Sequence, residues 1–212
     1  MKIAIIGAGN VGQALGFAWA KLGHEICFGV RDPESAQARA LLQRQAGLSV
    51  ASNGAAAACS ELVALATPWD ATRAAVASCG DLAGKIVMDC TNPIKADLSG
   101  LALGCDTSGA EQIASWAPGA QLFKAMNQIG FNLMDQPHFA AGQPVMFVCG
   151  EGAAKAAVLN LVATLGFEAV DAGGLAVARL LEPYAMLWIH LAITSKLGRD
   201  FAFSLLRPAT PA

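Results

Sequence analysis

The residues with the clearest chemical purpose come first in the chain. Gly7-Ala8-Gly9-Asn10-Val11-Gly12 follows the apolar run Ile3 to Ile6 without a gap. A helical pattern comes next, with Val11, Leu15, Ala18 and Leu22 on one face. The three glycines meet three separate needs. Gly7 allows a tight turn off a strand. Gly9 lets an anion approach the backbone where a Cβ would stand. Gly12 lets the helix pack closely on the strand. Free N–H groups and the positive end of that helix then suit a pyrophosphate. This order of strand, glycine turn and helix predicts a dinucleotide site, and Gly16 predicts continued close packing one turn on.

Choice between dinucleotides falls to the residues after the second strand, Glu25 to Val30. An acidic residue there would bond a ribose 2′-hydroxyl, whereas a guanidinium can pair with a 2′-phosphate and stack on adenine. Val30 ends the strand and Arg31 follows, which favours NADP. If the strand extends to Arg31, Asp32 becomes the acidic ribose ligand and the preference reverses.

The elements that must position these groups alternate. Arg31 to Ser35 opens a second helix, with Pro33 and Glu34 in its first turn, running to about Gln45. Further strands read at Leu48–Ala51, Glu61–Ala66, Lys85–Asp89, Gln121–Ala125, Val145–Cys149 and Phe167–Val170. Helices read at 54–59, from 67 to about 79, at 108–116 and at 152–165. Ser108 with Glu111 makes a capping box. Ile94 to Thr107 lacks periodicity and reads as a loop over the ligand crevice. Leu175 to Leu206 reads as mostly helical, broken near Pro183. The fold class is therefore α/β, a Rossmann-type doubly wound and mainly parallel sheet whose strand order begins 3-2-1-4-5. We expect residues 1–172 to form the dinucleotide-binding domain. Residues 173–212 form a small helical region that completes the cleft.

Composition limits the alternatives. A net charge of −2 over 212 residues points to neither nucleic acid nor an anionic membrane. Met1-Lys2 runs straight into the first strand, so no signal peptide is expected. The apolar stretch Tyr184 to Ile193 is too short to span a bilayer. The six cysteines have no metal-like spacing, and a reduced, cytoplasmic protein without a metal is expected. His24 reads as structural, His138 as a surface loop residue and His190 as a core residue of an apolar helix. No Ser–His–Asp or Cys–His arrangement is evident.

The remaining strand-end loops are Ala66-Thr67-Pro68-Trp69, Asp89-Cys90-Thr91-Asn92-Pro93, Ser108-Gly-Ala-Glu111 and Lys124-Ala-Met-Asn127, with Pro183-x-Ala185-Met-x-Trp188-Ile-His190 near the end. Together with the glycine loop and Val30-Arg31-Asp32-Pro33, this set resembles the NADPH-dependent oxidoreductases of the deazaflavin coenzyme F420. That family's relatives include the reductase domain of the STEAP metalloreductases. The resemblance covers nearly the whole chain. It implies a Rossmann fold and a cleft that stacks a nicotinamide against a flavin-like ring, with F420 or a flavin as hydride acceptor. It places NADP on Gly7, Ala8, Gly9, Asn10, Val11 and Gly12, with Val30 and Arg31. It sets Ala66, Thr67, Pro68 and Trp69, and Thr91, Asn92 and Pro93, nearer the ribose and nicotinamide. Asn127 falls beside the reacting rings as the catalytic candidate. Val30 departs from the family, which more often has a small polar residue there.

Two other classes compete with a flavin-type hydride transfer. One is an NADPH-dependent reductase of a small carbonyl or imine, which needs a proton donor that the sequence does not supply. The other is a non-catalytic NADPH-binding module. A homodimer is expected through Leu180, Leu181, Tyr184, Leu187, Trp188 and Leu191, an apolar set too wide for one small domain to bury.

Overall fold

β1 (Lys2–Ile6) forms because its apolar residues can be buried on both sides. Ile3 and Ile5 enter one core; Ala4 and Ile6 enter the other. The same two-sided burial holds for β4 (Leu62–Leu65) and β5 (Ile86–Asp89), as expected for a sheet covered on both faces. The computed structural model describes residues 1–208. With β2 (Glu25–Val30), β3 (Leu48–Ser52), β6 (Gln121–Lys124), β7 (Val145–Gly150) and β8 (Glu168–Gly173), these strands make one eight-stranded sheet ordered β3-β2-β1-β4-β5-β6-β7-β8. All neighbours are parallel except β6 and β7.

Helix α1 (Asn10–Lys21) lies close against the sheet because Gly16 is bare. A Cβ there would stand 2.4 Å from the Phe28 ring. α2 (Ala36–Arg44) begins later than its sequence suggests. Ser35 is the N-cap and accepts from the Ala38 N–H. Pro33 and Glu34 therefore lie in the turn before the helix, where Asp32 Oδ1 accepts from the Glu34 N–H at 3.0 Å. α3 (Asn53–Ala58), α4 (Trp69–Ser78), α5 (Gly109–Trp116) and α6 (Lys155–Ala163) cover the sheet. At α5 half of the expected capping box forms. Ser108 Oγ accepts from the Glu111 N–H, while the Glu111 carboxylate accepts from the Ser108 hydroxyl and from Arg179.

The C-terminal region departs most from its sequence reading. α7 (Ala178–Ile189) runs through Pro183 unbroken and continues into a π-helical turn at His190–Thr194. Ser195 to Pro208 is irregular rather than helical. Proline removes one N–H from a helix but need not end it when tertiary packing holds both halves. Here Leu181 and Ala185 are buried on either side of it. His190 is exposed and is not a core residue. The unbroken run Leu175–Thr194 has 20 residues and contains an 18-residue window of mean hydropathy 1.2, so by length and composition alone it could cross a membrane. Its charged residues nevertheless pair inside the fold: Arg179 with Glu111 and Glu182 with Lys124. Of the apolar set expected at an interface, Leu181 and Trp188 are core residues, 5% exposed each, whereas Leu180 is 69% and Leu187 50% exposed.

Candidate functional site

The carboxyl ends of β1, β4, β5 and β6 open onto a cleft of about 640 Å³. One end is the start of α1. Gly9 is its N-cap, with extended backbone and no side-chain cap, which leaves the first N–H groups of the helix free. A Cβ at Gly9 would meet nothing within 4 Å and would point into open space, while Gly9, Asn10 and Val11 face the cleft. Gly7 and Gly12 lie beneath the loop. Gly7 has φ +104°, and a Cβ there would stand 2.7 Å from the Ala66 carbonyl oxygen. A Cβ on Gly12 would fall 1.9 Å from the Gly7 carbonyl oxygen. Ala8 is held from behind, its carbonyl accepting from Gln13 Nε2 at 2.7 Å. This cradle, bare at the one glycine of the loop that faces the cleft and uncapped at the helix, fits a dinucleotide pyrophosphate.

β2 ends at Val30, so the condition that would have made Asp32 a ribose ligand is not met. Asp32 is folded into the turn before α2. Val30 is half-buried and Arg31 exposed, and both lie at the strand's end, outside the lining of the cleft.

Ala66, Thr67, Pro68 and Trp69 form the wall after β4. The Thr67 hydroxyl is tied to Thr72 at 2.9 Å, and Trp69 stacks on Trp116 with ring centroids 5.6 Å apart. Thr91 and Asn92 form the wall after β5, with Pro93 set behind them against α5. Asn127 follows β6 and is 5% exposed. Its Nδ2 donates to Asn92 Oδ1 at 3.0 Å and to the Leu181 carbonyl at 3.4 Å, and its Oδ1 accepts from Gln128 Nε2 at 2.8 Å. Asn92 Nδ2 returns a bond to the Asn127 carbonyl at 2.8 Å. Both amide hydrogens of Asn127 are thus engaged within the protein. That leaves one lone pair and a clasp between the β5 and β6 loops. Met126, fully buried just before it, takes φ +60°, a conformation costly for a side chain of this kind.

Beneath this clasp lies a charge network that the sequence reading missed. Asp89 and Lys124 end adjacent strands in register, and Glu182 projects from α7. Lys124 Nζ lies 2.6 Å from Asp89 Oδ2 and 2.9 Å from Glu182 Oε1, and donates to the Thr91 carbonyl at 2.9 Å. Asp89 Oδ1 accepts from the Thr91 N–H and hydroxyl. Glu182 accepts from the Gly109 and Ala110 N–H groups, capping α5. All three side chains are essentially inaccessible. Burial alone would lower the Lys124 pKa, but Asp89 and Glu182 together outweigh it and leave the ammonium held above its ordinary value. Every ammonium proton is therefore placed. The available signal was a charge ending an otherwise apolar strand, twice, and a lone glutamate in an apolar helix.

The far side of the cleft is apolar: Ile94 and Leu98 from one loop, Ile129 and Phe131 from another, and Trp188 and Ile193 from the C-terminal run. Cys90 also reaches it, but burial, reinforced by Asp89, pushes its thiol far up, so it stays protonated. None of the three histidines lines the cleft. The cleft therefore joins an anion cradle to a largely apolar chamber whose charged lining residues are Asp70, Lys95 and Arg199.

The family model for the coenzyme F420-dependent NADP oxidoreductases matches residues 2–93. The F420-dependent NADP reductase of Methanothermobacter thermautotrophicus is 31% identical over 215 aligned residues, 92% of this chain and 91% of the relative. Rat metalloreductase STEAP3 is 28% identical over 85% of this chain, which corresponds to 36% of that protein. Among solved structures, one from Arthrobacter sp. FB24, described as a candidate F420-dependent NADP reductase, superposes with a TM-score of 0.89 at 34% identity, covering 98% of this chain and 100% of that one. An imine reductase from Aspergillus terreus shares the fold, with a TM-score of 0.67 at 24% identity, over 92% of this chain and 63% of its own. The cradle, the Rossmann sheet that carries it and the relationship across nearly the whole chain agree: this chain belongs to the family of F420-dependent NADP reductases and is an NADP-dependent oxidoreductase.

Proposed function

We propose that the protein passes a hydride between NADP(H), held by the glycine loop and Arg31, and a deazaflavin ring of the F420 type seated in the apolar chamber. The observation that carries this reading is the chamber itself: largely apolar walls, no histidine in the lining, and an anion cradle at one end. When bound, the two rings would supply the redox chemistry, one as hydride donor and the other as hydride acceptor. The chain's own task is placement. The helix N-terminus and Arg31 would fix the phosphates, Thr67 to Trp69 would border the ribose, and the Asn92–Asn127 clasp would keep the two loops at a constant separation. Ile94, Ile129 and Trp188 would exclude water. In this role Asn127 acts as a positioning residue, since its donors are engaged within the fold.

Residues 1–172 would then carry the dinucleotide and 173–212 the acceptor side. A homodimer is supported by the exposed α7 side chains Leu180 and Leu187 and, beyond the helix, Leu197, which is 63% exposed. A cytoplasmic setting fits the unpaired cysteines.

The test is NADPH oxidation with F420, FMN and riboflavin as separate acceptors, beside a panel of small imines and ketones. Turnover with a ring acceptor supports the reading. Turnover confined to imines or ketones overturns it, and tight NADPH binding without any turnover would indicate a binding module. Light scattering that finds a monomer at micromolar concentration removes the dimer.

A further inference from the structure

The cleft holds cationic groups that the dinucleotide site leaves unassigned. Three charged side chains line it: Asp70, Lys95 and Arg199. Asp70 sits in the first turn of α4, where the helix dipole suits a carboxylate. The two cations come from elsewhere, Lys95 from the loop after β5 and Arg199 from the irregular segment after the π turn. Arg199 is held in place. Its guanidinium carbon lies 5.3 Å from the centroid of the Phe131 ring, itself part of the chamber wall. Asn132 Nδ2 anchors the backbone beneath it, donating to the Arg199 carbonyl at 3.5 Å and to Asp200 Oδ1 at 2.9 Å. Lys95 is carried on a bridged loop, its N–H donating to the Gly100 carbonyl at 2.9 Å. Asp97, the nearest acid in sequence, is turned toward the Ser99 N–H. Among the described residues neither cation has a carboxylate within ion-pair distance. A guanidinium laid on an aromatic face with its N–H fork unused is well suited to a phosphate or carboxylate.

We infer that Arg199, assisted by Lys95, binds an anionic tail carried by the hydride acceptor. Arg199 thereby distinguishes a tailed ring acceptor from a tail-less ring or a small neutral carbonyl. This inference rests on the proposed function, and it adds a second anion site to the one at the start of α1. The two sites divide the work. The glycine loop holds the phosphates of NADP(H), and the Arg199 site selects the acceptor.

Calorimetric titration of the NADP⁺-saturated protein tests this without requiring turnover. The probes are F420, its deazaflavin chromophore without the phosphate-bearing tail, FMN and riboflavin. The unmodified protein should bind F420 and FMN more tightly than the tail-less ring of each pair, with the difference shrinking as salt rises. Arg199→Ala should weaken F420 by about tenfold or more, as expected for one charge-assisted contact. It should leave the tail-less chromophore and NADPH unchanged, and the latter also reports an intact fold. Arg199→Glu should weaken F420 further. FMN responding as strongly as F420 would identify the phosphate as the recognised group, and F420 alone responding would identify the carboxylates. Equal weakening of tailed and tail-less rings, or weakened NADPH, overturns the assignment and places Arg199 against the ring or the nucleotide. If the unmodified protein binds tailed and tail-less rings alike, this inference fails while the proposed function stands. If it binds no ring at all, both fail.

Discussion

Adding one methyl group at Gly9 or at Gly12 should separate ligand binding from folding. Gly9 has φ −78° and ψ −168°, extended backbone that alanine adopts freely, and no protein atom lies within 4 Å of the new Cβ. Gly9→Ala should therefore leave the ligand-free protein intact, or stabilise it by about 0.4–1 kcal/mol through lost freedom in the unfolded chain. The methyl would stand where the pyrophosphate must approach. Displacing that group from two N–H donors, at about 1.5–3 kcal/mol each, should weaken NADPH by at least about a hundredfold. Gly12→Ala behaves oppositely. Its Cβ would lie 1.9 Å from the Gly7 carbonyl oxygen, a backbone atom that cannot swing aside. Forcing α1 off the sheet should cost about 3 kcal/mol, offset by about 1 kcal/mol of improved helix propensity, for a net loss near 2 kcal/mol. Thermal unfolding without ligand and NADPH fluorescence titration read the two effects. A folded Gly9→Ala protein that binds NADPH like the unmodified one would refute the placement of the phosphates.

Arg31→Ala should remove most of a ten- to hundredfold preference for NADPH over NADH while leaving NADH affinity nearly unchanged; it is measured by titrating both cofactors. Equal binding by the unmodified protein would sink that idea. Lys124→Met should destabilise by about 3–5 kcal/mol in chemical denaturation, because it leaves Asp89 and Glu182 charged, buried and unpaired; a loss below about 1 kcal/mol would show that the network is not as dry as its geometry indicates. Glu111 links stability to acid. Its hydrogen bonds from Arg179, helped by the Ser108 hydroxyl, hold its carboxyl below the ordinary value of 4.5. The folded state thus favours the charged form, and the contribution is fully present above pH 4.5 and lost as pH falls through the lowered folded value. The stability gap between the unmodified protein and Glu111→Gln should be constant near neutrality and close below that point; a gap unaffected by acid would exclude the ion pair as its cause.

The sheet was legible because its information is local. A run such as Ile3-Ala-Ile-Ile6 is apolar on both faces, and continuous apolar runs of that kind recur at β4 and in most of β5. The glycine loop was legible because each glycine answers a steric demand that can be named from its spacing. The antiparallel β7 was not, since one short apolar strand looks the same in either direction. The C-terminal run misled in both directions. Pro183 signalled a break that packing at Leu181 and Ala185 overrides, and the apolar stretch after Ser195 looked helical although it is irregular. His190, grouped with core residues by its apolar neighbours, points outward instead. The charge network could not be read from any one stretch. It exists only because parallel pairing sets Asp89 beside Lys124, and because α7 returns to the sheet more than fifty residues later with Glu182.

That network also explains how a site with so little acid–base chemistry can still be exacting. Hydride transfer between two rings tolerates the absence of a proton donor, but it falls steeply if the rings drift apart. The groups that set their separation are loop backbones after β5 and β6, segments that are mobile in most proteins. Here they are fastened from below. The Thr91 carbonyl, N–H and hydroxyl are all bonded to Lys124 or Asp89. Asn92 and Asn127 then clasp the two loops, and Glu182 ties the same ammonium to α7 and to the start of α5. The side chain of Trp188, two helical turns along from Leu181 and part of the chamber wall, is fixed in turn by its Nε1 donating to the Phe201 carbonyl at 3.1 Å. None of these polar groups is left free to give a proton, as a carbonyl or imine reductase requires of its donor. The structure engages them with one another, which favours rigidity over reactivity and fits a reaction whose chemistry resides in the rings.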